Sequence, residues 1–334
     1  MDMKRTTEFA PEAVKLLKFQ PEHYERVLKI RNTLFPDHTM SLKELRFEDE
    51  SWDHDRYTFE RNVALDIAGD VVGFIEYGHS PSIFHPRKFW MEINVDPERQ
   101  RRGIGALLYD FLMGRLEELE AMEVRSWAQE SMGESVRFLQ HRGFVEQQRT
   151  WESVLDLSWF EPSQYRGQLR SMEGVEIVTR AQETEVRSEL NSMLHELATT
   201  LMKDVPLPGR YTPVSLELFR QWTLVSPGAL SEGYFLAKKG GEYVGQCVLQ
   251  RQLGMEGSLE HGLTGVRSEF RRRGLAMALK VSALEWAKEA GYRTVRTWND
   301  SANRGMLAIN ERLGFVREPA WISFVKKLRV KDER

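Results

Sequence analysis

Val95-Asp96-Pro97-Glu98-Arg99-Gln100-Arg101-Arg102-Gly103-Ile104-Gly105 has a counterpart 171 residues on, Val266-Arg267-Ser268-Glu269-Phe270-Arg271-Arg272-Arg273-Gly274-Leu275-Ala276. Each stretch reads as the end of a strand, a charged turn, and a helix entered at a Gly-x-Gly or Gly-x-Ala step. A strand-to-helix turn of this kind gathers backbone N–H groups at a helix N-terminus, which suits a pyrophosphate. Small residues are required because a diphosphate must come within about 3 Å of several N–H groups, and a side chain there would block it.

Other positions repeat in the same register. Val124-Arg125-Ser126-Trp127 returns as Val295-Arg296-Thr297-Trp298, and Gly143-Phe144 as Gly314-Phe315, both at the offset of 171. Val72-Gly73 returns as Val244-Gly245, slipped by one residue. Solenoid repeats have periods of about 20–50 residues, so so long an offset reads as tandem duplication of a whole domain. The expected units are residues 1–160 and 161–334, joined through a connector at 158–172 that loses periodicity and carries Pro and Gly.

A chain of 334 residues suits two such units, each able to bury a core. The net charge of −3 argues against general nucleic-acid binding. No apolar run is long enough for a bilayer span, and the N-terminus lacks the apolar core of a signal peptide. The single cysteine, Cys247, excludes an intrachain disulfide framework and fits a reducing, cytoplasmic setting. It sits on an expected strand and reads as a small core residue. The eight histidines show no metal-ligand spacing, and the nine tryptophans read as core and interface anchors.

The first unit is expected to run strand (Val14–Phe19), helices (Pro21–Leu34 and Ser41–Glu50), and a hairpin over Thr58–Tyr77 turning at Ala68-Gly69-Asp70. A strand at Trp90–Val95 leads into the loop. Leu107, Leu108, Phe111, Leu112 and Leu116 then recur at helical spacing, so one face of that helix packs on a sheet. A strand at Val124–Ala128, a helix at Glu134–Arg142 capped by Gly143, and a strand at Phe144–Leu157 close the unit. The second unit repeats the order. Gln182–Leu201 is expected as a helix, Thr212-Pro213 as the cap of another, and Tyr234–Gln250 as the hairpin.

Rival readings of the loop are weaker. A Rossmann site needs a third glycine and an early βαβ position, and a Walker A loop needs Gly-Lys-[Ser/Thr]. Both are absent. The triplet Arg271–Arg273 could touch RNA but lacks interleaved aromatics.

The pattern strand–[Gln/Arg]-x-x-Gly-x-[Gly/Ala]–helix, followed about 40 residues later by Gly-Phe and present twice, resembles the GNAT acetyltransferase superfamily. The residues that carry the resemblance are Gln100–Gly105, Arg271–Ala276, Arg137–Phe144 and Asn303–Phe315. It covers nearly the whole chain and implies an α/β (α+β type) fold. Each of two GNAT-like domains would be a mixed, mostly antiparallel twisted sheet flanked by helices. A splayed gap would open between the strands at Val95 and Val124, and at Val266 and Val295. The resemblance also implies acetyl-CoA as acyl donor. Its cradles would be Asn94, Val95, Gln100, Arg101, Arg102, Gly103, Ile104 and Gly105 in the first copy. In the second they would be Gly265, Val266, Arg271, Arg272, Arg273, Gly274, Leu275, Ala276 and Asn303.

In the implied reaction an amine attacks the thioester carbonyl and the thiolate leaves. Family members often place a carboxylate base six residues before the strand-ending Val, a position held here by Glu260 in the second copy and Phe89 in the first. Glu92, three before Val95, is the first copy's nearest alternative. The family's usual acid, a Tyr four residues before the Gly of Gly-Phe, is replaced by Leu139 and Asn310. Asn310 could still hydrogen-bond near the sulfur. The second copy keeps Glu260 and Asn303 and is expected to be the active one.

The acceptor is expected to be a small-molecule amine, with no nucleic-acid or membrane partner. An acidic run (Asp37, Glu44, Glu48, Asp49, Glu50, Asp53, Asp55) would attract a cation, or be only a solvated face. Asp204 lies where family loops line the acceptor pocket and could bind an ammonium, or serve only as a cap. The alternative to an acetyltransferase is a catalytically degenerate CoA-binding sensor or scaffold, which the missing tyrosines favour.

Overall fold

The computed structural model describes residues 14–165, 174–184 and 189–329. One twisted, mostly antiparallel sheet runs through both halves, with helices on its faces. The first half supplies β1 (Lys15–Lys18), β2 (Phe59–Leu65), β3 (Val71–Gly78), β4 (Lys88–Val95), β5 (Glu123–Gln129) and β6 (Val145–Asp156). The second supplies β7 (Val175–Thr179), β8 (Ala229–Lys239), β9 (Glu242–Arg251), β10 (Ser258–Val266), β11 (Thr294–Asp300), β12 (Val316–Arg317) and β13 (Trp321–Lys327). The main helices are α1 (Tyr24–Leu34), α2 (Leu42–Glu50), α3 (Ile104–Glu118), α4 (Gly133–His141), α5 (Leu190–Met202), α6 (Leu275–Glu289) and α7 (Arg304–Arg312).

The strand order is β1-β2-β3-β4-β5-β13-β6-β11-β10-β9-β8-β7, with β12 also on β6. The last strand of the chain therefore lies inside the first half's sheet, paired with β5 from Trp321↔Gln129 to Lys327↔Glu123. In exchange, β6 pairs with β11 from Thr294↔Asp156 to Asp300↔Thr150. Ile322 and Phe324 are accordingly buried in the first copy's core with Leu108, Leu112, Leu116 and Val124. Leu155 and Leu157 are buried in the second copy's core with Val295 and Phe315. Each buried side chain of this size contributes roughly 1.5–3 kcal/mol of transfer free energy, so the exchange joins the halves through both cores.

The two copies match at the loops. Gly103 and Gly274 take φ of 86° and 84°, left-handed values that favour glycine, just before α3 and α6. The preceding Arg101 and Arg272 also have positive φ, so the whole turn is repeated. The repeated Gly73 and Gly245 have a different cause. A Cβ on Gly73 would lie 3.0 Å from the Asn94 carbonyl oxygen, and on Gly245 3.0 Å from that of Gly265. Bare backbone is needed there for β3 and β9 to pack beneath their helices.

The parallel neighbours splay in both copies. β4 and β5 pair from Lys88↔Glu123 to Trp90↔Arg125 and then diverge. β10 and β11 pair from Ser258↔Thr294 to His261↔Thr297 and then diverge. The region expected as one helix from Gln182 begins with a short turn, Arg180–Thr184, and resumes as α5. Residues 185–188, and much of the expected connector, lie outside the described residues. The helix expected after Thr212 starts later, at Leu216, because Ser215 rather than Thr212 accepts from the Leu218 N–H as the cap. Thr212 instead donates its backbone N–H to the Ser82 carbonyl of the first copy at 2.7 Å.

Candidate active site

α3 begins at an uncapped turn. Gly103 is its N-cap and offers no side-chain acceptor, so the first N–H groups of the helix have no capping partner. They face a groove of about 560 Å³ lined by Val95, Gln100, Arg101, Gly103, Ile104 and Gly105. Gln100 donates from Nε2 to the Val95 carbonyl at 3.1 Å and holds the turn closed. The helix dipole favours an anion here, and Arg101 beside it pairs with Glu134 of α4 at 3.1 Å. The groove continues along the splay between β4 and β5, past Ile93, Asn94 and Ser126.

Beside the groove lies a cavity of about 680 Å³ between the two copies. Phe35, Glu92, Trp127 and Trp321 line both spaces and form the junction. Trp321 reaches this place only because β13 is exchanged. The second copy encloses the cavity in other ways too. Its Leu253 N–H donates to Glu44 Oε1 at 2.8 Å, and its Gly254 carbonyl accepts from Thr39 Oγ1 at 2.6 Å.

Glu92 stands at the junction on β4. Asn94 Nδ2 donates to its Oε1 at 2.8 Å, and Arg31 lies 3.8 Å away. Burial outweighs these contacts and pushes its carboxyl above the usual range. Glu260 lines the same cavity from β10, so the structure brings the two candidate bases to one space. Burial raises the Glu260 carboxyl as well, against the pull of His38. Glu48 on α2 is pushed up to about 7, burial being the main cause and Arg31 the chief opposing one.

Other carboxylates nearby are already neutralised. Asp49 receives two bonds from Arg61, at 2.7 and 3.0 Å, and Glu76 pairs with the Arg61 Nε. Glu152, 1% exposed, contacts His38 at 3.0 Å and accepts from Arg296 and Trp321. Its burial would raise the carboxyl, but these bonds prevail and hold it below the usual range.

Six tryptophans line the cavity, Trp52, Trp90, Trp127, Trp222, Trp298 and Trp321, which the sequence suggested only as core and interface anchors. Trp222, Trp52, Phe59, Trp90 and Trp127 form a continuous row with successive centroids 6.1, 5.4, 6.0 and 5.7 Å apart. Their scatter along the sequence hid this grouping. The one local signal was the repeated Trp127 and Trp298, placed alike in both copies and both facing the cavity.

The second loop has the same backbone but different surroundings. Arg271 donates from Nε to the Val266 carbonyl at 2.8 Å, as Gln100 does to Val95. Its guanidinium also pairs with Asp204, so that aspartate is held against the second loop and is not among the residues lining the cavity. Gly265 stands where the first copy has Asn94, and Leu201 of α5 fills the space a side chain there would take, 3.1 Å from where a Cβ would be. Asn303 caps α7 by accepting from the Met306 N–H at 3.3 Å. Asn310 is buried and donates to Asn299 Oδ1 at 2.6 Å, while its own Oδ1 has no partner. Leu139, at the matching place in the first copy, is buried in the core. Cys247 is fully buried 3.3 Å from His261 Nε2, and burial pushes its thiol up to about 11.

Two segments, residues 25–144 and 193–315, match the acetyltransferase (GNAT) family. The chain belongs to the GNAT acetyltransferase family. It carries the domain twice, and both matches span a glycine loop and end at or beside Gly-Phe. A mycothiol acetyltransferase from Geodermatophilus obscurus is 26% identical over 238 residues, which is 70% of this chain and 72% of that protein. A tandem GNAT protein from the clavulanic acid biosynthesis pathway superimposes with a TM-score of 0.77 at 18% identity, covering 96% of this chain and 100% of the other. A GCN5-related N-acetyltransferase from Sphaerobacter thermophilus gives 0.70 at 18% identity, covering 96% and 97%. These two likenesses describe the fold of the GNAT chain. Among the described residues, no helix is long and apolar enough to cross a membrane.

Proposed function

We propose that this GNAT protein is an acetyl-CoA-dependent N-acetyltransferase acting on a small-molecule amine, with the reaction carried out at the first copy. The observation that carries this reading is that Glu92 lines both the α3 groove and the inter-copy cavity. Members of the family use acetyl-CoA. The fit of this chain to that cofactor rests on the uncapped N–H groups after Gly103, the flanking arginines and the splay beside them. Bound there, acetyl-CoA would supply an acetyl thioester. Val95, Gln100, Arg101, Arg102, Gly103, Ile104 and Gly105 would hold its diphosphate end, and Asn94 would line the splay.

Glu92 acts on the acceptor. A lysine-like amine of pKa about 10.4 is only about 0.04% neutral at pH 7, so attack needs a base. A buried carboxylate with a raised pKa is a better match to that task than an exposed one. Glu92 takes the ammonium proton and Asn94 keeps its carboxylate turned toward the junction. Leu139 in place of the family's tyrosine offers no hydroxyl to the thiolate. The proton released to Glu92, or one from solvent, serves that end of the reaction.

The sequence favoured the second copy because it retains Glu260 and Asn303. Two features support the first instead. Leu201 fills the space beside Gly265 where the first copy has the Asn94 side chain, and Glu260 faces the shared cavity. We infer two units near 1–160 and 161–334 that trade their last strands, in a reducing, cytoplasmic setting. The name of the mycothiol relative is compatible with a small amine acceptor. An amine-panel assay detecting free CoA thiol tests the proposal, with thiol release expected for at least one small amine. A CoA-binding sensor or scaffold is favoured instead if acetyl-CoA stabilises the fold but no amine releases thiol.

A further inference from the structure

The cavity beyond Glu92 is larger and more acidic than a simple amine needs. Six carboxylates line it against three arginines and one histidine. Arg61 is committed to Asp49 and Glu76, and Arg31 lies beside Glu92. Arg251 sits on an exposed position of β9. Glu48 and Glu260 have neither a salt bridge nor a side-chain hydrogen bond among the described residues, and each faces the cavity from a different copy. Carboxylates left unpaired in a recess are costly to ionise, and a bound cation relieves that cost.

The walls point the same way. The row Trp222–Trp52–Phe59–Trp90–Trp127 presents ring faces and edges along one side. His38 lies against Trp298 and Trp321 on another, at 6.0 and 5.8 Å. Aromatic rings attract ammonium groups and pack well on the methylene or sugar carbons between them. Carboxylates at separate points between such walls select a molecule with cationic centres at separate points.

We propose that the acceptor is a polycationic amine. One amine meets Glu92 at the junction, and a second cationic centre is held deeper by Glu260, with Glu48 adding to the field. This rests on the acetyl-transfer reading above and assigns the second copy a part in it. The second copy builds one side of the acceptor cavity through Glu260, Trp222 and Trp298. Glu260 on this view binds the acceptor and is not the base.

The test uses the full chain with acetyl-CoA and matched probes. Putrescine and spermidine represent linear polyamines, neamine a polycationic amino sugar, and butylamine a single-charge control of the same carbon length as putrescine. Thiol release gives kcat/KM, and calorimetry without acetyl-CoA gives binding independently of turnover. The expected result is that at least one polycation exceeds butylamine by about tenfold or more in kcat/KM. Glu260→Gln should lower that ratio by about tenfold through KM. Preference for spermidine over neamine identifies the linear source, and the reverse the sugar. Use of butylamine as good as that of every polycation overturns the proposal while leaving acetyl transfer standing, as does a Glu260→Gln effect equal on all probes. Binding of polycations that Glu260→Gln abolishes, without thiol release from any probe, supports the cavity assignment and overturns the acetyl-transfer reading.

Discussion

At the scale of single residues, Glu92 is the decisive group. Its neighbours Asn94 and Arg31 orient the carboxylate while burial keeps its proton affinity high. Glu92→Gln should lower kcat by about 10²–10⁴ with little change in KM, and the loss should shrink for acceptors of lower pKa. Steady-state kinetics on two amines of different basicity measure this. Glu48 makes a separate prediction. Its folded value of about 7 lies above the ordinary 4.5, because burial opposes ionisation and Glu76 and Asp49 add repulsion that Arg31 and Arg61 offset only partly. The folded chain therefore binds the extra proton, and that stability is full below the ordinary value and lost as pH rises through about 7. Thermal unfolding followed from about pH 5 to pH 8 should show this fall, and Glu48→Gln should flatten it. A fall of equal size in the variant would remove Glu48 as its cause.

At the scale of elements, the loops were legible in the sequence and their surroundings were not. Gly103 and Gly274 follow from local backbone demands, since positive φ and close anion approach can be read from a few residues. The role of Asp204 could not, because its partner Arg271 is remote in sequence and either a capping or a binding role fitted the local pattern. The cap of the helix after Thr212 was misplaced because Ser215 competes with it three residues later. The fate of β13 was hidden for a different reason. A strand's alternation gives its faces but not its neighbours. Phe324→Ala tests this exchange. Phe324 is 1% exposed in the first copy's core, so the substitution should cost about 3–5 kcal/mol in urea unfolding. Hydrogen exchange should quicken first in β5. Loosening confined to β10 and β11 would contradict the strand order.

At the scale of the whole molecule, duplication and exchange together explain why one chain carries unequal copies. The repeat at 171 residues made two GNAT-type folds visible from sequence alone. The cavity was invisible because its tryptophans and glutamates come from both halves and meet only across the joined sheet. Residues 1–160 expressed alone would leave β5 and β6 without β13 between them, and β6 without β11. That fragment should be poorly soluble, and co-expression with residues 161–334 should restore a folded complex, as checked by size-exclusion chromatography. A soluble, monomeric fragment with full acetyl-CoA binding would show that the exchange is dispensable.

The central claim is that the first copy's loop holds the cofactor used in catalysis. Gly105 and Ala276 occupy matching positions after the two loops. A Cβ at Gly105 meets nothing closer than the Phe138 ring at 3.5 Å, so an aspartate there is tolerated sterically and places its charge against the diphosphate. The most direct measurement is thiol release from acetyl-CoA by the wild-type chain, Gly105→Asp and Ala276→Asp under one set of conditions. The account predicts a loss of about a hundredfold or more for Gly105→Asp and a change within about threefold for Ala276→Asp. Loss confined to Ala276→Asp would place catalysis in the second copy and contradict it.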